Sequence, residues 1–191
     1  MLRATPNLLT IRPGDAVETV GAYQIAMKNR TRPSVLCLCR DGVPAAQPGS
    51  SPESVAKGAY VLKDFSGSGN KVIIIASGTE LNIAVEASEK LAGEGIDARV
   101  VSMPCWELFD EQSEDYKTSV FSLAREQCVS VEASSTFGWE RFATNHIGMK
   151  TFGASAPGAA LMEHFGFTTS NVMEVAKKAA ADQLTTKIHR G

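Results

Sequence analysis

Apolar and polar positions along this chain switch between a strand period and a helix period, and the switches mark out its elements. The pattern is most regular from Lys71 onward. Val72–Ala76 is an unbroken apolar run of strand length, Ser77-Gly78-Thr79 is a turn, and Glu80–Ala92 sets Leu81, Ala84, Val85, Ser88 and Leu91 on one face at helical spacing. Gly93 and Gly95 can stop that helix, and Ala98–Ser102 reads as the next strand, so the spacing predicts a βαβ unit with a right-handed crossover. Further along come a helical region over Glu107–Phe121, a strand over Gln127–Glu132, a short strand or turn at Thr151–Gly153 and helices near Gly158–Phe165 and Thr169–Leu184. Such alternation predicts an α/β fold: an open, mostly parallel sheet with helices on both faces.

Upstream the pattern is shorter. Leu8–Ile11 predicts a strand, and Arg12-Pro13-Gly14-Asp15 a turn that can cap a helix. Ala16–Lys28 predicts that helix, on the surface, with Val17, Val20, Gly21, Ile25 and Met27 as its apolar positions, and Ser34–Cys39 predicts a buried strand. Two strands and one helix cannot cover both faces of a sheet, so residues 1–50 read as a partial α/β unit ending a larger domain and exposing apolar surface. Asp41–Ser54 gathers Gly, Pro, Ser and Ala, the composition of a linker, and the domain boundary is placed there, with 51–191 as the main domain. Ala59–Lys63 is a further strand candidate.

With 43% hydrophobic and 21% charged residues in 191, the composition is that of an ordinary globular protein. A formal charge of −2, with Lys and Arg scattered, argues against nucleic acid or an anionic membrane as partner. The apolar run Val72–Ala76 falls far short of the ~20 residues that span a bilayer. Met1-Leu2-Arg3-Ala4-Thr5-Pro6 lacks the apolar core of a secretory signal, which points to the cytoplasm, or to a plastid if a transit peptide precedes it. Cys37, Cys39, Cys105 and Cys128 fit no zinc or disulfide spacing and read as buried free thiols.

Four features could carry chemistry. Ser77-Gly78-Thr79-Glu80 lies where open α/β folds bind anions at a helix start, but Glu80 would itself satisfy the dipole there, so a plain helix cap competes with an anion or regulatory site. Arg40 should emerge at the carboxyl end of its strand, where a guanidinium either sits solvated or grips a phosphate. Trp106, Phe137 and Trp139 are core aromatics or interface anchors. His146, His164 and His189 stand at neither metal spacing nor beside a nucleophile, and no Gly-x-Ser-x-Gly word occurs.

Several longer words occur in order. They are Leu2-Arg3-Ala4-Thr5-Pro6-Asn7, Ile11-Arg12-Pro13-Gly14-Asp15, Lys57-Gly58-Ala59-Tyr60-Val61-Leu62, Met103-Pro104-Cys105-Trp106-Glu107-Leu108-Phe109-Asp110, Val131-Glu132-Ala133-Ser134-Ser135-Thr136-Phe137-Gly138-Trp139 and Thr151-Phe152-Gly153-Ala154-Ser155-Ala156-Pro157-Gly158. Together they resemble the C-terminal portion of transketolase. The resemblance implies a transferase of the pentose phosphate pathway that uses thiamine diphosphate and Mg²⁺ to move a two-carbon ketol unit from ketose phosphates to aldose phosphates, as a homodimer. It also implies that 1–50 is the tail of the pyrimidine-binding domain and 51–191 the C-terminal domain. The family's Gly-Asp-Gly metal motif, its activating glutamate and its substrate histidines are expected upstream of Met1. This chain then needs the remainder of the polypeptide, binds no cofactor or metal alone and has no catalytic residue, acting as scaffold and dimer interface. One contact is expected here: the family's Ser-Arg-Gln arginine, which binds the sugar phosphate, matches Arg40, although Cys39 and Asp41 replace its neighbours. A related thiamine-diphosphate enzyme and a non-catalytic dimerisation or regulatory module are the alternatives.

Overall fold

The computed structural model describes residues 2–40 and 42–188. The chain opens with a single 3-10 turn, Leu2–Ala4, then β1 (Leu9–Ile11), α1 (Ala16–Lys28) and β2 (Ser34–Leu36). β1 and β2 pair in parallel as a two-stranded sheet. A short helix α2 (Pro52–Val55) leads into β3 (Tyr60–Lys63), β4 (Asn70–Ala76), α3 (Glu80–Ala92) and β5 (Ile96–Ser102). Then come α4 (Trp106–Asp110), α5 (Glu114–Val120), β6 (Cys128–Ser135), β7 (Asn145–Met149), α6 (Gly158–His164) and α7 (Thr169–Ile188).

The larger sheet has five strands in the order β3-β5-β4-β6-β7, parallel except for β3, which pairs antiparallel with β5 at one edge. β4 is its central strand, and successive residues there face opposite layers. Val72 and Ile74 pack with Leu81, Ala84 and Leu91 of α3 and with Val172, Ala176 and Ala179 of α7. Ile73 and Ile75 pack with Trp106, Phe109, Trp139 and Phe142 on the other side. Burial on both faces explains why β4 reads as a continuous apolar run rather than an alternating one. The expected α/β sheet with helices on both faces is present.

A third cluster joins the N-terminal unit to the main sheet's loops: Leu9, Ile11 and Ala22 meet Val55, Cys105 and Leu108. Gly21 lets α1 close on α2, since a Cβ there would meet the carbonyl of Pro52 and the side chain of Val55. The opposite side of α1 exposes Val20, Tyr23 and Met27. The apolar positions expected along α1 are therefore split. Gly21 is buried, whereas Val20 and Met27 point outward and the polar Glu18 points inward.

Other departures have local causes. The helical region expected over Glu107–Phe121 is two helices, because the Ser113 hydroxyl accepts the Tyr116 N–H at 3.3 Å and starts a new one. Thr151–Gly153 is an exposed loop and not a strand; the edge strand is β7, in register with β6 through Val129↔Asn145 and Val131↔Ile147. The strand expected over Ser34–Cys39 ends at Leu36, although the Cys37 N–H still donates to Ile11 O at 2.8 Å. His189 lies outside the described residues.

Candidate functional site

The carboxyl ends of β1, β4 and β6 converge, and each delivers a charged or polar side chain. Glu132 is the last buried residue of β6, β4 is followed by Ser77 and Gly78, β1 is followed by Arg12, and the first turn of the chain brings Arg3. Glu132 is the hub. Its side chain is 2% exposed, yet both oxygens are fully engaged: Arg3 donates to them through two N–H groups at 2.6 Å, the Ser77 hydroxyl donates at 2.6 Å and the Trp139 indole N–H at 2.9 Å. Burial alone raises its pKa, but the Arg3 bonds and charge, with Arg12 and Ser77 behind them, outweigh that and hold Glu132 below the usual carboxylate value. The Arg3 guanidinium also lies over the Trp106 ring, 4.1 Å from its centroid.

A second pair stands beside it. Arg12 is salt-bridged to buried Glu80 in the first turn of α3, and its guanidinium also donates to the Ser77 hydroxyl at 3.2 Å. Burial works against the charged form of Arg12, but the Glu80 bond and the charges of Glu80 and Glu132 raise its pKa further. Gly78 is in the left-handed region at φ 61°, and the space its missing Cβ would fill is taken by the Arg12 guanidinium. The strand–turn–helix corner at Ser77–Glu80 is therefore occupied by the chain's own ion pair. Thr79 makes no capping bond, so Glu80 with Arg12, rather than a hydroxyl, completes the helix start.

In front of this network opens a cavity of about 680 Å³, lined by Leu2, Arg3, Arg12, Cys37, Glu132 and Phe137 among others. Phe137 is exposed on its rim, whereas Trp106 and Trp139 are core residues packed edge to face at 4.8 Å. Another buried carboxylate, Glu18, lies at the joint between α1 and the main sheet, and its bonds come from uncharged donors. It accepts from Gly14 N at 2.6 Å, from the Tyr60 hydroxyl at 2.7 Å and from the Ser102 hydroxyl.

Arg40 stands apart from these clusters. It is exposed, several residues beyond the end of β2, and no described carboxylate pairs with it. Its preceding residue, Cys39, is exposed as well, so the four thiols do not share one environment: Cys105 and Cys128 are buried, Cys37 is half-buried. His146 Nδ1 is bonded to the Ser130 hydroxyl at 2.8 Å, with Ser130 buried within β6, and His164 packs on Phe165. Neither lines the cavity.

Thiamine diphosphate and Mg²⁺ need a diphosphate seat and a cluster of oxygen ligands. Among the described residues no three His, Cys, Asp or Glu side chains are grouped to hold a metal, and Glu132 and Glu80 are spent on arginines. The residues present do not fit that cofactor. Sequence pattern alone does not single out Arg3, Arg12, Glu18 or Glu132 as a network. The available signal is a glutamate closing each of two apolar strand runs, Glu80 after β4's turn and Glu132 after Val129–Val131.

A sequence profile described as the transketolase-like C-terminal domain matches residues 58–168. The chain belongs to the transketolase family. A chloroplastic transketolase of Craterostigma plantagineum is 50% identical over 181 residues, which cover 92% of this chain and 34% of that protein. The solved transketolase of Leishmania mexicana superposes with a TM-score of 0.86 at 44% identity, over 95% of this chain and 26% of that one. A split-gene transketolase, solved as an inactive β4 tetramer, superposes at 0.76 with 27% identity over 94% of this chain and 60% of its own. The chain thus spans about a quarter to a third of the length of the curated transketolases it matches.

Proposed function

We propose that this chain serves two-carbon ketol transfer between sugar phosphates as the C-terminal part of a thiamine-diphosphate transketolase, supplying scaffold and dimer interface rather than catalytic groups. The observation that carries the reading is the superposition of 95% of this chain on about a quarter (26%) of a transketolase at 44% identity, combined with buried carboxylates, Glu132 and Glu80, that are already spent on the chain's own arginines. In this reading residues 1–50 complete the pyrimidine-binding domain, and the exposed α1 face, Val20, Tyr23 and Met27, packs against its remainder. Arg40 offers its guanidinium to the phosphate of the substrate, as its exposure at the carboxyl side of β2 allows. Active sites would then form between subunits of a homodimer. The chloroplastic relative supports a plastid location, and the split-gene tetramer supports self-association of this fold.

A chimera tests this. Replacing the matching region of the Leishmania mexicana enzyme with this chain should give a folded protein that transfers two-carbon units from xylulose 5-phosphate to ribose 5-phosphate. Arg40→Leu in the chimera should raise the KM for both sugar phosphates about tenfold, the effect of about 1.4 kcal/mol, with kcat little changed. A folded chimera without turnover would reject the reading, and unchanged KM values would remove Arg40 from it.

A further inference from the structure

Glu18 sits in the first turn of α1 with its side chain fully buried, where α1 meets the ends of β3 and β5. Three donors converge on it from three directions: the Gly14 peptide, the Tyr60 hydroxyl of β3 and the Ser102 hydroxyl at the end of β5. None is cationic. The titratable groups facing it are Asp15, a carboxylate one turn back, and Tyr60, whose own ionisation Glu18 opposes. An isolated carboxylate in a dry site with a like charge nearby is costly to ionise, and the group avoids the cost by keeping its proton.

We infer that Glu18 is a proton-operated latch: while α1 is seated on β3 and β5 it keeps a proton on Oε1, which donates to Ser102 Oγ in place of accepting from it, and it releases that proton to solvent when the seam opens. The seam is the joint between the N-terminal unit and the main sheet, so the latch couples their docking to pH whatever reaction the chain serves. Burial, chiefly, lifts the Glu18 pKa above its ordinary 4.5, against the hydrogen bonds from Ser102, Gly14 and Tyr60. A raised folded-state pKa means that the stabilisation is complete below 4.5 and is lost as pH rises toward the folded value. Over that window one proton leaves per opening, and the opening constant rises about tenfold per pH unit.

The opening has a local reporter. Asp15 accepts the Glu18 N–H at 2.6 Å with one oxygen and the Gln47 N–H at 2.7 Å with the other. Loosening the start of α1 therefore frees the Gln47 amide, in the segment between Arg40 and α2.

Two measurements test the latch on the purified chain. Carbon-detected NMR of the Glu18 carboxyl should show it titrating above the ordinary glutamate range in the folded protein. Hydrogen-exchange protection factors, which remove the intrinsic pH dependence of exchange, should fall with rising pH at Gln47 in the wild type and stay flat in Glu18→Gln. With its oxygen in the place of Oε2 and its NH2 in the place of Oε1, the amide side chain still accepts from Gly14 and donates to the Tyr60 and Ser102 hydroxyl oxygens, so the seam should remain closed. A carboxyl that titrates at or below the ordinary range overturns the inference without needing any variant, and so does a variant that keeps the wild-type pH dependence at Gln47.

Discussion

Removing Arg3 should be among the most damaging changes available near the surface of this protein. Arg3→Met retains much of the side chain's apolar length over Trp106 but leaves Glu132, 2% exposed, without its bridging cation. Breaking one side of a buried ion pair costs about 3–5 kcal/mol, because the remaining charge stays buried and unpaired. Two considerations favour the lower end: Ser77 and Trp139 still donate to Glu132, and Arg3 is itself 18% exposed. Loss of the contact with Trp106 adds about 0.5–1 kcal/mol. The expected cost is about 3–4 kcal/mol, a fall of about 1–2 M in the urea midpoint at an m-value near 2–3 kcal/mol/M. Glu132→Gln should cost a comparable amount. The double variant Arg3→Met/Glu132→Gln should cost at least about 1.5 kcal/mol less than the sum, since the coupled pair is counted twice in the singles. Because Arg3 and its neighbours hold Glu132 below 4.5 against the opposing effect of burial, the pair contributes fully above 4.5, and its contribution is lost as pH falls through the folded value. The wild type should therefore lose stability on acidification and Arg3→Met should lose less. A midpoint shift under about 0.3 M, or additive single variants, would refute the account of Glu132 as a buried charge sustained by Arg3.

Two further outcomes rest on the same structure. Gly78→Ala forces an alanine to φ 61° and drives its Cβ into the Arg12 guanidinium, so it should lower stability by about 1–3 kcal/mol, whereas Gly93→Ala, at φ −65° with its nearest contact 3.4 Å away, should be neutral or stabilising by up to about 1 kcal/mol; thermal unfolding of both separates backbone strain from mere loss of glycine. Val20 and Met27 are 51% and 71% exposed on the outer face of α1, so Val20→Lys/Met27→Lys should reduce self-association and dye binding of the isolated chain without changing its unfolding midpoint. Sedimentation that shows a monomer before the change as well as after would remove that face as an association surface.

The elements most legible in the sequence were those whose partners lie close along the chain. α3 begins and ends where its periodicity places it, Glu80 to Ala92, because a helix face of Leu81, Ala84, Ser88 and Leu91 is fixed by local spacing alone. The strand β4 was legible for the same reason, since only burial on both faces suits five consecutive apolar residues. β7 was not: Asn145, His146 and Gly148 have weak strand preference, and the segment is a strand because β6 offers it a hydrogen-bonding edge. The break at Ser113 is a matter of one hydroxyl reaching one N–H, a choice that propensity summed over a window does not resolve.

By itself, the sequence determined the fold class and the family, because hydrophobic period and long specific words are properties of the chain's order. Only the tertiary structure decided which charges matter. Arg3 and Glu132 stand 129 positions apart, Ser77 and Glu132 stand 55 apart, and Glu18 meets Ser102 across 84. Such pairs leave no periodic trace, and a lone Glu or Arg in a sequence reads as solvated surface until the backbone carries it to a partner. Burial then changes the chemistry of identical side chains in opposite directions: Glu132, given a cation, is held ionised, and Glu18, given hydroxyls and a neighbouring carboxylate, is driven toward keeping its proton.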